Sequence, residues 1–456
     1  MAGIGFELRR ILKKDSLLSL VQAYGLAGMI SSGPWVLSIL ALLCIGMISV
    51  GQFFEDAMVS EFLVIVTYLM SGSLILSGFY QLMLTRYFSD LMFVEDNEKI
   101  VPNLIGSMLM VSVLALIVGI AFMSLAPEAP GVKVSTIAAF ILLCNQWLVI
   151  IFLSGMKQYY QIFFTLLGGY ALMVLMVLLI PNTGLFGLMD IFCFSQSVLL
   201  FTFLFFVIRD FPANRLVSFD FLSRKHSYYS LAFCGIMYNI GVWADKFAFW
   251  AHESTSYQIN AFFRASYIYD LPIFVAYLAI VPGMAIFMMR METDYAEACE
   301  SFYDAVRSGG TLSQIDQLKD KMVIACRAGI YQIFKVQGIT LALLLLWGRD
   351  ILQFFNIDLA YLHLLYVDLV GVSLQVLVMA ILNVMFYLDK RYSALALTCF
   401  MAVLNYTLSE YSIHLGPEFY GFGFSLAMLA TTLVGLVLLD RQFSDLEYRT
   451  FMLQQS

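Results

Sequence analysis

The chain consists of long, uninterrupted apolar runs separated by short polar connections. Each run approaches the roughly 20 residues that an α-helix needs to cross a hydrocarbon layer about 30 Å thick. Apolar and polar residues do not alternate as they would along the strands of a membrane barrel. The pattern predicts an all-α polytopic membrane protein with about twelve transmembrane helices, near 26–50, 61–84, 101–125, 134–155, 162–180, 185–208, 231–250, 266–289, 327–347, 362–388, 393–412 and 421–440.

A polar linker divides these spans six and six. Its sequence is "RDFPANRLVSFDFLSRKHSYYS", and transporters are often built from paired repeats. We therefore predict two six-helix lobes flanked by cytoplasmic segments. The predicted parts are an amphipathic arm (1–25), an N-terminal lobe (26–208), the linker (209–230), a C-terminal lobe (231–440) and a tail (441–456).

Composition and charge support a membrane location and give an orientation. The chain is 61% hydrophobic and 12% charged, with a mean hydropathy of +0.86, whereas soluble domains are about 25% charged. If the N-terminus is cytoplasmic, most of the 25 Lys and Arg residues fall on inner connections. The positive-inside rule then predicts that both termini are cytoplasmic.

Two predicted cytoplasmic segments are amphipathic. Residues 4–21 combine apolar positions at helical spacing with a basic side, which is typical of an interfacial helix on anionic lipid. In the longest connection, 290–326, Gly309 and Gly310 separate two amphipathic stretches, which predicts a helical hairpin. Its acidic face is either a solvated cap or a docking surface for a soluble partner. The acidic residues are Glu292, Asp294, Glu297, Glu300 and Asp304.

The sequence argues against enzymatic chemistry. It contains no GxxxxGK[ST] phosphate loop and no HExxH motif, and its seven cysteines form no CxxC pair. We therefore expect neither an enzyme nor a resident cofactor or metal.

Ionisable residues inside predicted spans are candidates for a transport pathway because their exposure to lipid is costly. Asp190, Asp245, Lys246 and Asp270 are the main ones. Neighbouring side chains on a helix point about 100° apart. We therefore expect Asp245 to face a hydrated interior or a cation on another helix, with a structural ion pair as the alternative.

Aromatic and amide side chains extend this candidate pathway. Tyr238, Asn239 and Trp243 lie on the same span as Asp245, and rings beside amides suit sugars, which are apolar on their faces and polar at their edges. In the first span, "SSGPWV" predicts a break at Pro34. Irregular backbone in a membrane is tolerated beside a cavity, so Ser32 and Trp35 join the candidate pathway residues.

Four stretches together resemble one known family. They are "MAGIGFELRRIL", "SSGPWVLSIL", "YNIGVWADKFAFW" and "AIVPGMAIFMMRMETDYAEACESFY". These stretches resemble the PelG family, the membrane transport subunits of bacterial Pel exopolysaccharide systems. The family is placed in the multidrug/oligosaccharidyl-lipid/polysaccharide flippase superfamily, and the likeness runs along the whole chain.

The resemblance implies two six-helix lobes around a central cavity. It also implies export of an N-acetylhexosamine-rich polymer across the bacterial inner membrane, for the biofilm matrix. The implied partners are a cytoplasmic glycosyltransferase, a membrane subunit that binds cyclic-di-GMP and a tetratricopeptide-containing membrane subunit.

Two alternatives remain open at this point. One is a cation-coupled antiporter of small molecules or lipid-linked oligosaccharides, for which Asp190 could bind the coupling ion. The other is a membrane scaffold that anchors and activates the glycosyltransferase through 290–326 and the N-terminal arm.

Overall fold

The computed structural model describes residues 24–25, 27–28, 36–46, 56–156, 158–180, 184–223, 228–355 and 357–452. Helices dominate these residues. The helices are α1 (Val36–Gly46), α2 (Asp56–Phe93), α3 (Ile100–Leu125), α4 (Pro130–Gly155), α5 (Tyr159–Leu179), α6 (Gly184–Asp210), α7 (Tyr229–Ala251), α8 (Tyr267–Tyr277), α9 (Ile280–Met289), α10 (Ala296–Arg307), α11 (Leu312–Phe354), α12 (Leu362–Tyr387), α13 (Arg391–Leu415), α14 (Phe422–Ser444) and α15 (Leu446–Met452). One small hairpin pairs β1 (Tyr257–Gln258) with β2 (Arg264–Ala265) in antiparallel register.

The membrane-spanning prediction is confirmed. Among the described residues, 10 helical stretches are long and apolar enough to cross a membrane, and they coincide with ten of the predicted spans. The first predicted span is described only in part, chiefly as the short apolar helix α1. Helix α7 occupies the seventh predicted span with 23 residues but is not among the 10, because Asn239, Asp245 and Lys246 make it less apolar.

Two predictions concern residues outside the described part of the chain. The predicted interfacial helix at 4–21 lies there, and so do Ser32 and Trp35 with the proline break between them.

The structure divides the chain into two compact units, one formed by residues 33–270 and the other by residues 1–32 and 271–456. The boundary falls within α8, downstream of the linker at 209–230. The division into lobes at that linker therefore stays a prediction, and α7 belongs to the first unit together with α1–α6.

In the first unit, connections predicted to lie on the same side of the membrane contact one another. At the end predicted to be cytoplasmic, Ser218 donates its backbone N–H to the carbonyl of Pro102, and the Tyr228 hydroxyl donates to Asp90. At the opposite end, the Asn260 amide donates to Glu61 and Glu128. The helices therefore alternate in direction as the span count requires.

Helices α2 and α7 pack unusually closely where Gly78 meets Gly235. A Cβ on Gly235 would lie 2.2 Å from the carbonyl oxygen of Gly78, which is closer than any real contact. Small residues let helix backbones approach in this way in a membrane. The crossing fixes α7, and the polar side chains it carries, against α2.

The second unit contains the interrupted eighth span. Helix α8 ends at Tyr277 and α9 begins at Ile280, which leaves backbone carbonyls without helical partners. The Gln337 side chain of α11 donates to one of them, the carbonyl of Ala279, at 2.9 Å. The carbonyl freed by this break is therefore satisfied inside the protein, as a membrane requires.

The predicted hairpin at 290–326 is built from helices that continue the adjoining spans. A π-helical segment, Arg290–Tyr295, joins α9 to α10, and Gly309 turns the chain with φ +73°. The second arm is the start of α11, whose 43 residues extend about 64 Å. Because the hydrocarbon layer is about 30 Å thick, the hairpin arms are rigid extensions of membrane helices.

Candidate transport site

Helix α7 carries a buried ion pair. The side chain of Asp245 is 0% exposed and that of Lys246 is 1% exposed, and Lys246 Nζ lies 2.9 Å from Asp245 Oδ2. The ammonium group also donates to Asp245 Oδ1 at 3.2 Å and to the carbonyl of Val242 at 3.1 Å. Both charges are therefore removed from lipid and water and satisfied by hydrogen bonds.

This geometry corrects the expectation that Asp245 and Lys246 would need separate partners. The 100° offset between neighbouring positions keeps short side chains apart. The four-carbon stem of lysine, however, is long and flexible enough to bridge it. Lys246 folds back along α7 until its ammonium group reaches both the preceding turn and the neighbouring carboxylate. A cation bonded to Asp245 is thus on its own helix, which is the structural ion pair that the sequence left as the alternative, and a role of the pair in transport stays a prediction.

Helix α8 supplies the third group. The Tyr269 hydroxyl donates to Asp245 Oδ2 at 2.7 Å, and its ring stacks on Phe249 with centroids 3.9 Å apart. Tyr269 is fully buried. The phenol therefore links the start of α8 to the charged turn of α7.

Asp270 contacts α7 one turn further along. Trp250 Nε1 donates to both carboxylate oxygens of Asp270, at 3.0 and 2.9 Å, and the backbone N–H of Ser266 adds a third bond at 3.1 Å. Trp250 is buried and stacks on Tyr68 of α2. It is therefore not the interfacial anchor that its place near a span end suggests, because its donor is directed inward to a carboxylate.

Three further residues of the predicted pathway lie on α7. Trp243 is buried, and the Lys246 ammonium lies 5.8 Å from its ring centroid, within cation–π range. Asn239 is buried and donates to the carbonyl of Gly235, one turn back on the same helix. Tyr238 is half-buried.

Asp190 stands apart from this cluster. It is exposed near the start of α6, where it accepts a hydrogen bond from Ser135 of α4. The structure thus brings together Asp245, Lys246, Trp243 and Asp270 and leaves Asp190 outside. Tyr269, Trp250 and Ser266 complete the buried cluster, and no spacing in the sequence indicated their bonds.

The acidic residues of the hairpin fall into two groups. Glu292 accepts hydrogen bonds from Asn383 at 2.7 Å and Tyr387 at 3.0 Å, and Asp294 pairs with Arg290 at 2.6 Å. These two carboxylates bind within the protein. The other three are exposed on α10, where Asp304 also pairs with Arg307: Glu297, Glu300 and Asp304.

The buried cluster holds two opposite charges in one hydrogen-bonded group within the membrane protein. Tyrosine, carboxylate and ammonium lie in one connected chain, Tyr269–Asp245–Lys246.

The fold defines the class of protein. The chain is similar to an outward-facing multidrug resistance MATE family transporter of the MOP superfamily, with a TM-score of 0.65 and 15% identity over 94% of this chain and 96% of that one. It is also similar to a MOP superfamily transporter from Pyrococcus furiosus (TM-score 0.62, 14% identity, 94% and 96% covered) and to a MATE structure in complex with MaL6 (0.62, 13%, 93% and 97%). The chain has a MATE-type transporter fold.

The family follows from the sequence. The model described as "PelG: Putative exopolysaccharide Exporter (EPS-E)" matches residues 1–451, so the chain belongs to the PelG family. It is a multi-pass membrane protein with a transport role and not an enzyme. No curated protein matches the chain.

Proposed function

We propose that the chain exports an N-acetylhexosamine-rich exopolysaccharide of the Pel type across the bacterial inner membrane as a cytoplasmic glycosyltransferase makes it. The observation that carries the proposal is the family match over residues 1–451 on a transporter fold. The Lys and Arg distribution supports cytoplasmic termini. A membrane subunit that binds cyclic-di-GMP and a tetratricopeptide-containing membrane subunit complete the assembly.

Within this function, the buried cluster on α7 and α8 is the charged element of the transport path. Replacing a buried ion pair with apolar residues of similar volume is often neutral or stabilising. The charges of Asp245 and Lys246 are therefore not needed merely to hold α7 in place. Trp243 and Tyr238 on the same helix supply rings for weak contacts with sugar faces, and weak contacts let a polymer advance.

The exposed acidic side chains of α10 are the docking surface for the glycosyltransferase. They stand on a rigid arm, and the anionic inner surface of the membrane repels them, which favours a protein partner with a basic surface. Reversing Glu297, Glu300 and Asp304 to lysine should abolish co-purification of the glycosyltransferase and leave the fold intact. Reversal of three exposed acidic residues outside α10, Asp316, Asp320 and Glu418, is the matched control, and equal loss in both variants would contradict the assignment.

The export function is tested in cells that make the polymer. Deleting the gene for this chain should move polymer from the medium to the cell interior, and the full chain should restore secretion, measured with a lectin specific for N-acetylhexosamine. Undiminished secretion would refute export. Loss of synthesis itself would favour the scaffold role, and ion-driven uptake of small molecules by vesicles would favour the antiporter.

A further inference from the structure

Three segments meet at a pair of carboxyl groups at the hairpin end of the first unit. Glu61 lies on the second turn of α2, Glu128 in the connection from α3 to α4, and Asn260 between β1 and β2. The Asn260 amide nitrogen donates to Glu61 Oε1 at 2.8 Å and to Glu128 Oε1 at 2.6 Å. One side chain of the hairpin therefore ties it to both neighbouring segments.

The orientation of Asn260 is set by the hairpin itself. Its carbonyl oxygen accepts from the backbone N–H groups of Phe262 and Phe263, at 2.9 and 2.8 Å. The amide NH2 must then point away from the turn, toward the two carboxyl groups. Any change in the carboxyl pair is transmitted directly to the backbone of the turn.

The two carboxyl groups lie close together, because each has an oxygen bonded to the same amide nitrogen of Asn260, at 2.8 and 2.6 Å. Two ionised carboxylates this close repel each other, and a proton on one of them removes the repulsion. Burial raises the pKa of Glu128, the nearby Glu61 raises it further, and Lys133 opposes the change.

We propose that Glu61 and Glu128 form a proton-operated clasp, closed on Asn260 when the pair shares one proton and opened when that proton is lost. Loss of the proton places two like charges side by side, which drives the carboxylates apart. They can then no longer accept together from one amide, and the tip of the hairpin is released.

The direction of the pH dependence follows from the raised pKa of Glu128. The closed clasp is present below that pKa and is lost as the pH rises through it. Other ionisable groups on the segments around this end are Lys133, Asp190, His252, Glu253, Arg264, Tyr267 and Asp270. Arg264 is 3.9 Å from Glu253 and bonds to Ser256, so it is directed along the hairpin.

The clasp would act on the segment that precedes the buried cluster. The hairpin leads through Ser266 into α8, and Ser266, Tyr269 and Asp270 all take part in the bonds between α8 and α7. Opening the tip therefore loosens the outer attachment of this segment without breaking the Asp245–Lys246 pair.

Hydrogen exchange of the amides of Phe262 and Phe263 tests the clasp on the full chain in lipid nanodiscs. A pH series from about 4 to about 9 brackets the ordinary glutamate pKa of about 4.3. After correction for the intrinsic rate, both amides should exchange at least about tenfold faster above the transition than below it, because opening of the clasp exposes them to water. A corrected rate that does not change across the series would overturn the proposal.

Substitutions assign the transition to the carboxyl pair. Glu128→Gln and, independently, Glu61→Gln each supply a permanent donor to the remaining carboxylate, so the amides should stay protected throughout the series. Glu300→Gln, on the exposed face of α10, should keep the wild-type transition. If Glu128→Gln does not fold, the wild-type titration and the Glu61→Gln variant still test the proposal. A transition that persists in Glu61→Gln would refute the clasp.

Discussion

Neutralising one member of the buried pair should cost far more stability than neutralising both. Lys246→Met removes the ammonium bonded to the Asp245 carboxylate, and Asp245→Asn removes the negative charge that faces the Lys246 ammonium. Because both side chains are at most 1% exposed, water cannot replace the lost partner. Breaking such a pair costs about 3–5 kcal/mol, a large part of a typical folding free energy of about 5–15 kcal/mol.

The double variant Asp245→Asn/Lys246→Met carries no buried charge and should recover most of this loss. The coupling between the two substitutions is read from a double-mutant cycle of unfolding free energies, measured by denaturant titration in detergent. The pair Asp316→Asn and Lys321→Met, both exposed on α11, is the control and should stay within about 0.5 kcal/mol. Single variants as stable as these controls, or a double variant as unstable as the worse single one, would refute the ion-pair account.

Three further predictions concern packing and hydrogen bonds, and each is read from the midpoint of thermal unfolding. Gly235→Ala should destabilise the first unit by about 1–3 kcal/mol because the added Cβ would strike the Gly78 carbonyl. Gly168→Ala, where no atom lies within 4 Å of the added Cβ, should leave stability unchanged. Equal effects of the two substitutions would contradict the close crossing of α2 and α7. Trp250→Phe removes the donor to Asp270 and should cost about 1–3 kcal/mol, whereas Trp347→Phe at a 55% exposed site should be neutral. Gln337→Leu strands the Ala279 carbonyl at the break between α8 and α9 and should cost about 1–3 kcal/mol; an unchanged midpoint would show that this carbonyl has another partner.

The membrane helices were predictable because the length of an apolar run is set by the bilayer. Ten predicted spans match described helices, and the helical turn at Gly309 was indicated by the two glycines there. The length of an apolar run does not indicate the direction in which a side chain turns or the group that it bonds. Lys246 pairs with its neighbour because a flexible stem can turn back, which no helical projection of Cβ directions reveals.

The hydrogen bonds between α7 and α8 could not be predicted from the sequence, for a different reason. Trp250 and Asp270 are 20 residues apart and are separated by a short hairpin, so their contact depends on how that hairpin turns. Amide–carboxyl contacts such as Asn260 with Glu61 and Glu128 join segments up to 199 residues apart and carry no local pattern. The α2–α7 crossing is similar, since Gly78 and Gly235 are recognisable as partners only once the helices are placed.

Export is tested most directly in inverted inner-membrane vesicles, which present the cytoplasmic face to the medium. Vesicles with the glycosyltransferase and this chain receive a radiolabelled nucleotide-activated N-acetylhexosamine, and a polymer-degrading hydrolase is then added outside. We predict that labelled polymer accumulates in the lumen, protected from the hydrolase until detergent is added, and that vesicles lacking this chain protect none. Equal protection with and without the chain would contradict its role as the exporter.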